Sequence, residues 1–211
     1  MSDARKREHV PRMKKAIQQL RQADPVLAAI IDRVGPCRMK FSEPVFASLA
    51  QSIVYQQLSG KAAATIFGRL VVAAGGEPLV PEALLRLSPE EMRATGLSKQ
   101  KASYVRDLAE KTAAEEVVFE SLRRMTNDQV IRTLTQVKGI GVWTAQMFLM
   151  FSLRRPDVLP CGDLGIRNAV QKAYGLEGPV TPEQIEEIGG AWRPYCSVAS
   201  WYLWRSLEPG S

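Results

Sequence analysis

Two features of this chain could do chemistry, and they lie close together in sequence. The first is a turn with two glycines, Gly139-Ile140-Gly141, flanked by Lys138 and Thr144. Glycine admits positive φ and puts no side chain over the backbone N–H groups. With an apolar-periodic helix on either side, those N–H groups sit at the N-terminus of the second helix. Orphan donors and the helix dipole attract an anion there. Lys138 adds a charge and Thr144 a hydroxyl. A bare Gly-x-Gly is equally a plain helix corner; in the fuller run Val-Lys-Gly-Ile-Gly-x-x-Thr-Ala it reads as a helix-hairpin-helix clamp on a phosphate backbone. The second feature is Asp163, 22 residues past Gly141, behind Pro160 and Gly162 at a loop-to-helix junction. Aspartate is a good N-cap, and an ionised carboxylate also stabilises developing positive charge. The two roles are compatible.

The remaining composition narrows the chemistry. The chain has 211 residues, enough for one large domain or two lobes sharing a core. Its one histidine, His9, lies in a charged N-terminal stretch, which excludes a histidine base in a core, a Ser-His-Asp set and a histidine metal site. Cys37, Cys161 and Cys196 are far apart. Neither zinc nor an iron–sulfur cluster is expected from them, and a reducing compartment fits. Catalysis is left to carboxylates, hydroxyls, lysine or water. A net charge of +6 suits nucleic acid or an anionic surface. No run of about 18 uncharged apolar residues occurs, and the N-terminus has no apolar targeting core, so no membrane association and no secretion are expected.

The elements that must position these residues read as helices. Asp24-Pro25 caps and opens one that ends near Gly35-Pro36. Ser42-Glu43-Pro44 opens another, with Phe46, Leu49 and Ile53 on one face. A break at Leu58-Ser59-Gly60 lets Ser59 cap the next. Ser88 with Glu91, Thr126 with Gln129, and Thr181 with Gln184 have capping-box spacing. Ser98 starts a helix with Ala102, Val105, Leu108 and Ala109 as its stripe. LVVAAGG and EEVVFESL are the only strand-like pieces. The expectation is an all-α protein of about ten to twelve helices, with a disordered tail over residues 1–10.

At this point a resemblance can be stated. The hairpin followed by Pro-x-x-Asp-Leu-Gly resembles the HhH-GPD superfamily of DNA glycosylases, and within it the 3-methyladenine DNA glycosylase II family of alkylation repair. The similarity runs from about residue 24 to 207 and includes ADPVLAAII, SIVYQQLSGKAA, TGLSKQKASYVRDLA, VKGIGVWTAQMFL, DVLPCGDLGIRNA and WRPYCSVASWYLW. It implies one bilobal helical domain over residues 11–211. Lobe one is about 44–149, lobe two is 11–43 plus 150–211, and the active site lies in the cleft between them. It implies a monomer that flips a damaged nucleotide out of double-stranded DNA and hydrolyses the N-glycosidic bond of an alkylated purine. The activity expected is that of a base excision repair hydrolase. A non-catalytic helix-hairpin-helix protein binding bent or damaged DNA is the alternative. An extra β-rich domain of longer relatives is not expected. The expected location is the cytoplasm and nucleoid of a bacterium, or a eukaryotic nucleus.

Residue by residue, Asp163 matches the family's catalytic acid. Bifunctional relatives carry a lysine nucleophile where this chain has Trp143, so no lyase step is expected; Lys101 and Lys138 are read as solvated or phosphate-facing. The iron–sulfur cysteines of other relatives are absent. A flipped cationic base favours aromatic faces. The resemblance offers Trp143 and Trp204 as pocket walls, with Tyr195, Ser197 and Ser200 beside them, although rings such as these also build cores. Met147 stands where some relatives have a pocket tyrosine. Gln56-Gln57-Leu58-Ser59 looks like the family's intercalating loop, with Gln57 or Leu58 as the wedge; a Gln-Gln pair at a helix end is also an ordinary solvated terminus. Relatives hold a monovalent cation, Na+ or K+, on hairpin carbonyls, which here would be those of Thr135, Val137 and Ile140. No other cofactor is implied.

Overall fold

The computed structural model describes residues 3–208, with side-chain surroundings from residue 13 onward. Among the described residues there are thirteen α-helices and no strand. They are α1 (Asp3–Ala23), α2 (Pro25–Val34), α3 (Phe46–Tyr55), α4 (Gly60–Ala73), α5 (Pro81–Leu85), α6 (Pro89–Ala94), α7 (Lys99–Ala113), α8 (Phe119–Leu122), α9 (Asn127–Thr135), α10 (Val142–Phe151), α11 (Leu164–Tyr174), α12 (Pro182–Gly189) and α13 (Cys196–Arg205), with a 3-10 turn at Gly190–Trp192. The all-α expectation holds. LVVAAGG is the end of α4, and EEVVFESL runs into α8. The tail expected to be disordered is corrected from Asp3 onward, where α1 begins; its alanine, arginine, lysine and glutamate are good helix formers. Met1 and Ser2 lie outside the described residues.

The chain forms two compact units, Phe41–Leu153 and Met1–Lys40 with Arg154–Ser211. In the first, α7 packs against α3, α5 and α6. Its core is laid out by the apolar stripes read from sequence: Phe46, Leu49 and Ile53 of α3, and Ala102, Val105, Leu108 and Ala109 of α7, are buried. Phe119 stacks edge-on between Phe46 and Phe148, at centroid distances of 6.4 and 6.1 Å. The capping boxes of α6 and α9 both form. Ser42 does not open a helix. Its hydroxyl is taken by Ser152, at 2.8 Å, and α3 starts at Phe46 without a side-chain cap.

In the second unit, one buried carboxylate joins three elements. Asp24 Oδ1 accepts from Val26 N and Leu27 N, at 2.9 and 3.0 Å, and caps α2. Its Oδ2 accepts from Trp192 Nε1, at 2.7 Å, and from the Tyr174 hydroxyl at the end of α11. Four donors around one carboxylate offset the cost of burying it, and burial raises the Tyr174 hydroxyl above the usual tyrosine range. Residues Cys196 to Leu203 of α13 are all buried, so this helix shows no solvent stripe. That framework fixes the C-terminal end of α11.

Candidate functional site

In the unit Phe41–Leu153 the chain turns from α9 into α10 over buried Val137 and Ile140, with Ile140 N donating to Val137 O at 3.1 Å. The two glycines do different things. Gly139 has φ +79°, and a Cβ there would lie 2.0 Å from Cδ2 of Tyr104, so the tyrosine ring fills the space a side chain would need. Gly141 has an ordinary φ of −89° and open space around a Cβ. Its effect is chemical: α10 begins without a side-chain cap, so its first N–H groups face outward as donors. Val142 and Trp143 in that first turn are 54% and 51% exposed. Thr144 is buried at 8% exposure, which does not place its hydroxyl with the exposed donors. Lys138 donates from its backbone N to Asp107 Oδ2, at 2.9 Å, and from its ammonium to Oδ1, at 3.2 Å.

The loop Gln56–Ser59 divides into holders and projecting residues. Gln56 Nε2 donates to Gly139 O at 2.9 Å. Ser59 Oγ caps α4 by accepting from Ala62 N at 3.4 Å. Between them, Gln57 takes a left-handed φ of +55°, unusual for a residue with a side chain, and Gln57 and Leu58 are exposed. Lys101 Nζ donates to Val54 O and Gln56 O, at 2.6 and 2.5 Å, and so caps the carbonyl end of α3. Burial holds this amine below the usual lysine range. Lys101 is therefore neither solvated nor turned to an external phosphate, as its sequence context suggested.

In the other unit Asp163 is the N-cap of α11. Its Oδ1 accepts from Ile166 N and from Trp204 Nε1, both at 2.8 Å. A Cβ on Gly165 would lie 2.9 Å from Trp204 Cδ1 and 3.0 Å from Asp163 Oδ1. Glycine is thus what lets the indole reach the carboxylate across the first turn of α11. Asp163 remains half-buried, between bulk water and the interior.

The other expected pocket residues separate by burial. Trp143 is exposed, and Met147 and Trp204 are half-buried. Tyr195 lines a hollow with Gln19 and Gln22 of α1. Ser197 and Ser200 are 2% and 0% exposed, which corrects their expected place on a pocket wall. Ser197 Oγ instead donates to Arg155 O, at 2.7 Å, and accepts from Val158 N, at 3.1 Å, tying α13 to the segment that leads toward Asp163. The physical reason is that α13 is buried on all sides, so small residues serve its packing. At the hairpin, Val137 O accepts one N–H and keeps a second lone pair, and Thr135 ends α9, where carbonyls lack intrahelical partners. Among the described residues no cluster of three His, Cys, Asp or Glu could hold a metal, and no helix is long and apolar enough to cross a membrane.

Comparison with known proteins decides the family. A profile described as "HhH-GPD superfamily base excision DNA repair protein" matches residues 50–194. The chain belongs to the HhH-GPD superfamily. It is 34% identical to DNA-3-methyladenine glycosylase 1 of Schizosaccharomyces pombe over 96% of this chain and 91% of that protein. Among solved structures, DNA-3-methyladenine glycosidase from Bacillus halodurans shares 40% identity over 90% of this chain and 87% of that one, with a TM-score of 0.81. The S. pombe 3-methyladenine DNA glycosylase Mag1, in complex with abasic DNA, shares 35% identity over 90% and 95%, with a TM-score of 0.77.

Within this HhH-GPD chain, sequence reasoning passed over three residues. Gly165 gave a signal, a glycine in the first turn of a helix where it costs stability. Asp107 gave none: at helical spacing it falls off the apolar stripe of α7, and only the packed structure buries it. Tyr104 gave none: its position against Gly139 depends on how α7 and the hairpin pack.

Proposed function

We propose that this HhH-GPD chain is a monofunctional DNA glycosylase that hydrolyses the N-glycosidic bond of alkylated purines of the 3-methyladenine and 7-methylguanine type in double-stranded DNA. The observation that carries the reading is Asp163, a carboxylate fixed by a backbone N–H and an indole N–H at the mouth of α11. The relatives named above are glycosylases, which leaves the purely binding alternative without support.

The chemistry follows from the residues present. As the C1′–N bond lengthens, its electron pair moves to the base and positive charge builds on the sugar. Asp163 stabilises that oxocarbenium-like sugar electrostatically. A purine alkylated on a ring nitrogen is already cationic and leaves neutral, so no acid catalyst is required. Water then bonds to C1′, and its proton passes to Asp163 or to solvent. The uncapped first turn of α10 holds a backbone phosphate, which positions the duplex without reading its sequence. Trp143, half exposed, offers its indole to the cationic base. Gln57 or Leu58 is the wedge that fills the gap left in the stack. The carbonyls of Thr135, Val137 and Ile140 would hold Na+ or K+, adding positive charge beside the phosphate. The two lysines nearest in sequence to the motifs are both paired, Lys101 with carbonyls and Lys138 with Asp107, and Trp143 stands where a lyase lysine would be.

The test is release of 3-methyladenine and 7-methylguanine from methylated duplex DNA. Asp163→Asn should slow release by about a hundredfold or more while DNA binding persists, given the usual size of lost transition-state stabilisation. A wild-type protein that binds DNA but releases no base, or an Asn variant at full rate, overturns the proposal. Borohydride should trap no covalent complex.

A further inference from the structure

The contacts of α7 form a closed circuit. Lys101, Tyr104 and Asp107 stand one per turn along it. Lys101 holds the carbonyls of Val54 and Gln56 at the end of α3. Tyr104 fills the space beneath Gly139 and accepts from Gln100 Nε2 at 2.6 Å. Asp107, buried, holds both the backbone N and the ammonium of Lys138. Gln56 then closes the circuit from loop to hairpin through Gly139 O. Apart from the Gln100–Tyr104 bond within α7, every polar link here is between the segment carrying Gln57-Leu58 and the turn that opens α10, or between one of these and α7.

Two features show that this is more than helix packing. Gln57 is held at φ +55° although it has a side chain, and such conformations persist where the surroundings over-determine them. Further, the contacts converge on backbone atoms. Lys101 grips two carbonyls, Asp107 grips an amide, and Gln56 grips a carbonyl. Together they fix where the chain runs while leaving the side chains of Gln57 and Leu58 exposed.

The geometry points to α7 as the template that sets the intercalating loop against the backbone clamp. Lys101 and Gln56 are its positioning residues for the loop, needed for extruding a nucleotide rather than for gripping DNA, while Asp107 seats the hairpin end. The inference rests on the glycosylase reading for the roles of loop and hairpin. Its mechanism is positional. A phosphate held at α10 fixes the duplex, and the loop must enter the stack at a set distance from that phosphate. Loss of a positioning contact lets the loop drift, so the grip survives while insertion fails.

The test reads insertion directly. A duplex carries a tetrahydrofuran abasic analogue with 2-aminopurine as the neighbouring base, so no excision is needed. Wild-type protein should raise the 2-aminopurine fluorescence as the loop unstacks it. Lys101→Met and Gln56→Met should cut that rise by about threefold or more, with affinity for undamaged duplex unchanged to within about twofold, and Lys101→Arg should restore it. In a Gln57→Ala/Leu58→Ala background, Lys101→Met should cause no further loss. Should Lys101→Met fail to fold, Gln56→Met carries the test, because it keeps the carbonyl that Lys101 grips.

The inference is overturned if wild-type protein leaves the reporter stacked, if the single variants match wild type, or if Lys101→Met adds its full loss in the loop-truncated background. A protein that unstacks the reporter but releases no alkylated base would instead count against the glycosylase reading alone.

Discussion

Trp204 donates its indole N–H to the same oxygen of Asp163 that accepts the N–H of Ile166, at 2.8 Å in both cases. The carboxylate is thus aimed by two elements, α11 and α13. Trp204→Phe keeps most of the ring and removes the donor. A hydrogen bond to a charged group contributes about 1.5–3 kcal/mol, equivalent to about tenfold or more in rate if it is needed only at the transition state. Single-turnover excision should fall by about that much, measured on folded protein well below a melting temperature that the lost bond also lowers. Equal activity would show that Ile166 N alone suffices.

Gly165→Ala tests the same relationship from the other side. Its Cβ would press on Trp204 Cδ1 at 2.9 Å and on Asp163 Oδ1 at 3.0 Å, so the indole must shift. Alanine otherwise suits a helix better than glycine by about 1 kcal/mol. The expected outcome is a protein of near-unchanged stability with slowed excision, read by denaturant titration and single-turnover kinetics.

How far the site was legible depends on the range of each contact. The caps of Ser88, Thr126 and Thr181 could be read because cap and partner lie three residues apart. Asp163 could be read as a cap for the same reason. Its second donor is 41 residues away, and nothing local announces it. Ser42 misled because Ser152, 110 residues on, takes its hydroxyl. Lys101 misled for a related reason: lysine in a polar segment reads as solvated, and only the end of α3, 45 residues earlier, reveals the carbonyls it serves. Ser197 and Ser200 could not be separated from a pocket wall, since α13 is buried on every side and its sequence carries no stripe to say which face is inside.

The two hairpin glycines should respond oppositely. Gly139→Ala puts a side chain into the Tyr104 ring at positive φ. A left-handed residue costs about 1–2 kcal/mol and overpacking about 1–3 kcal/mol, so stability should drop by roughly 2–5 kcal/mol, and DNA affinity with it. Gly141→Asp meets open space and an extended N-cap geometry. It should stabilise the free protein by about 0.5 kcal/mol as a cap and dipole partner. The same charge repels a phosphate at α10, so affinity should fall for all sequences alike, with a shallower salt dependence. Fluorescence anisotropy at several salt concentrations, beside urea titration, separates the two effects. Unchanged affinity in Gly141→Asp would remove the clamp.

Alkali should destabilise the protein through its thiols. Burial pushes Cys37 and Cys161 each up to about 11 from an ordinary value of 9.0. The folded state therefore keeps these thiols neutral where the unfolded chain would ionise them. Their contribution is complete below pH 9.0 and is lost as pH rises toward about 11. Denaturation midpoints should fall across that window, and less steeply in Cys37→Ala. Because thiolate is the nucleophile, a disulfide reagent at neutral pH should label the native protein slowly and the unfolded chain fully. Cys37 is half-buried, so fast native labelling at neutral pH would show that its thiol is not held above the ordinary value.

Trp143 and Trp192 make the last contrast, because the same residue type sits in opposite surroundings. Trp192 is fully buried and donates to Asp24. Trp192→Phe leaves the carboxylate short of a donor, and loss of a buried charge-assisted bond should cost about 1.5–3 kcal/mol of stability. Trp143 is half exposed at the start of α10, so Trp143→Ala should lower the denaturation midpoint less than truncation of a fully buried tryptophan would. Its expected effect is on chemistry. A cation over an aromatic face is worth about 0.5–2 kcal/mol, so excision of a cationic base should slow by about threefold to thirtyfold while affinity for undamaged duplex holds. Parallel losses of excision and binding in Trp143→Ala would make the indole part of the DNA grip rather than of the base pocket.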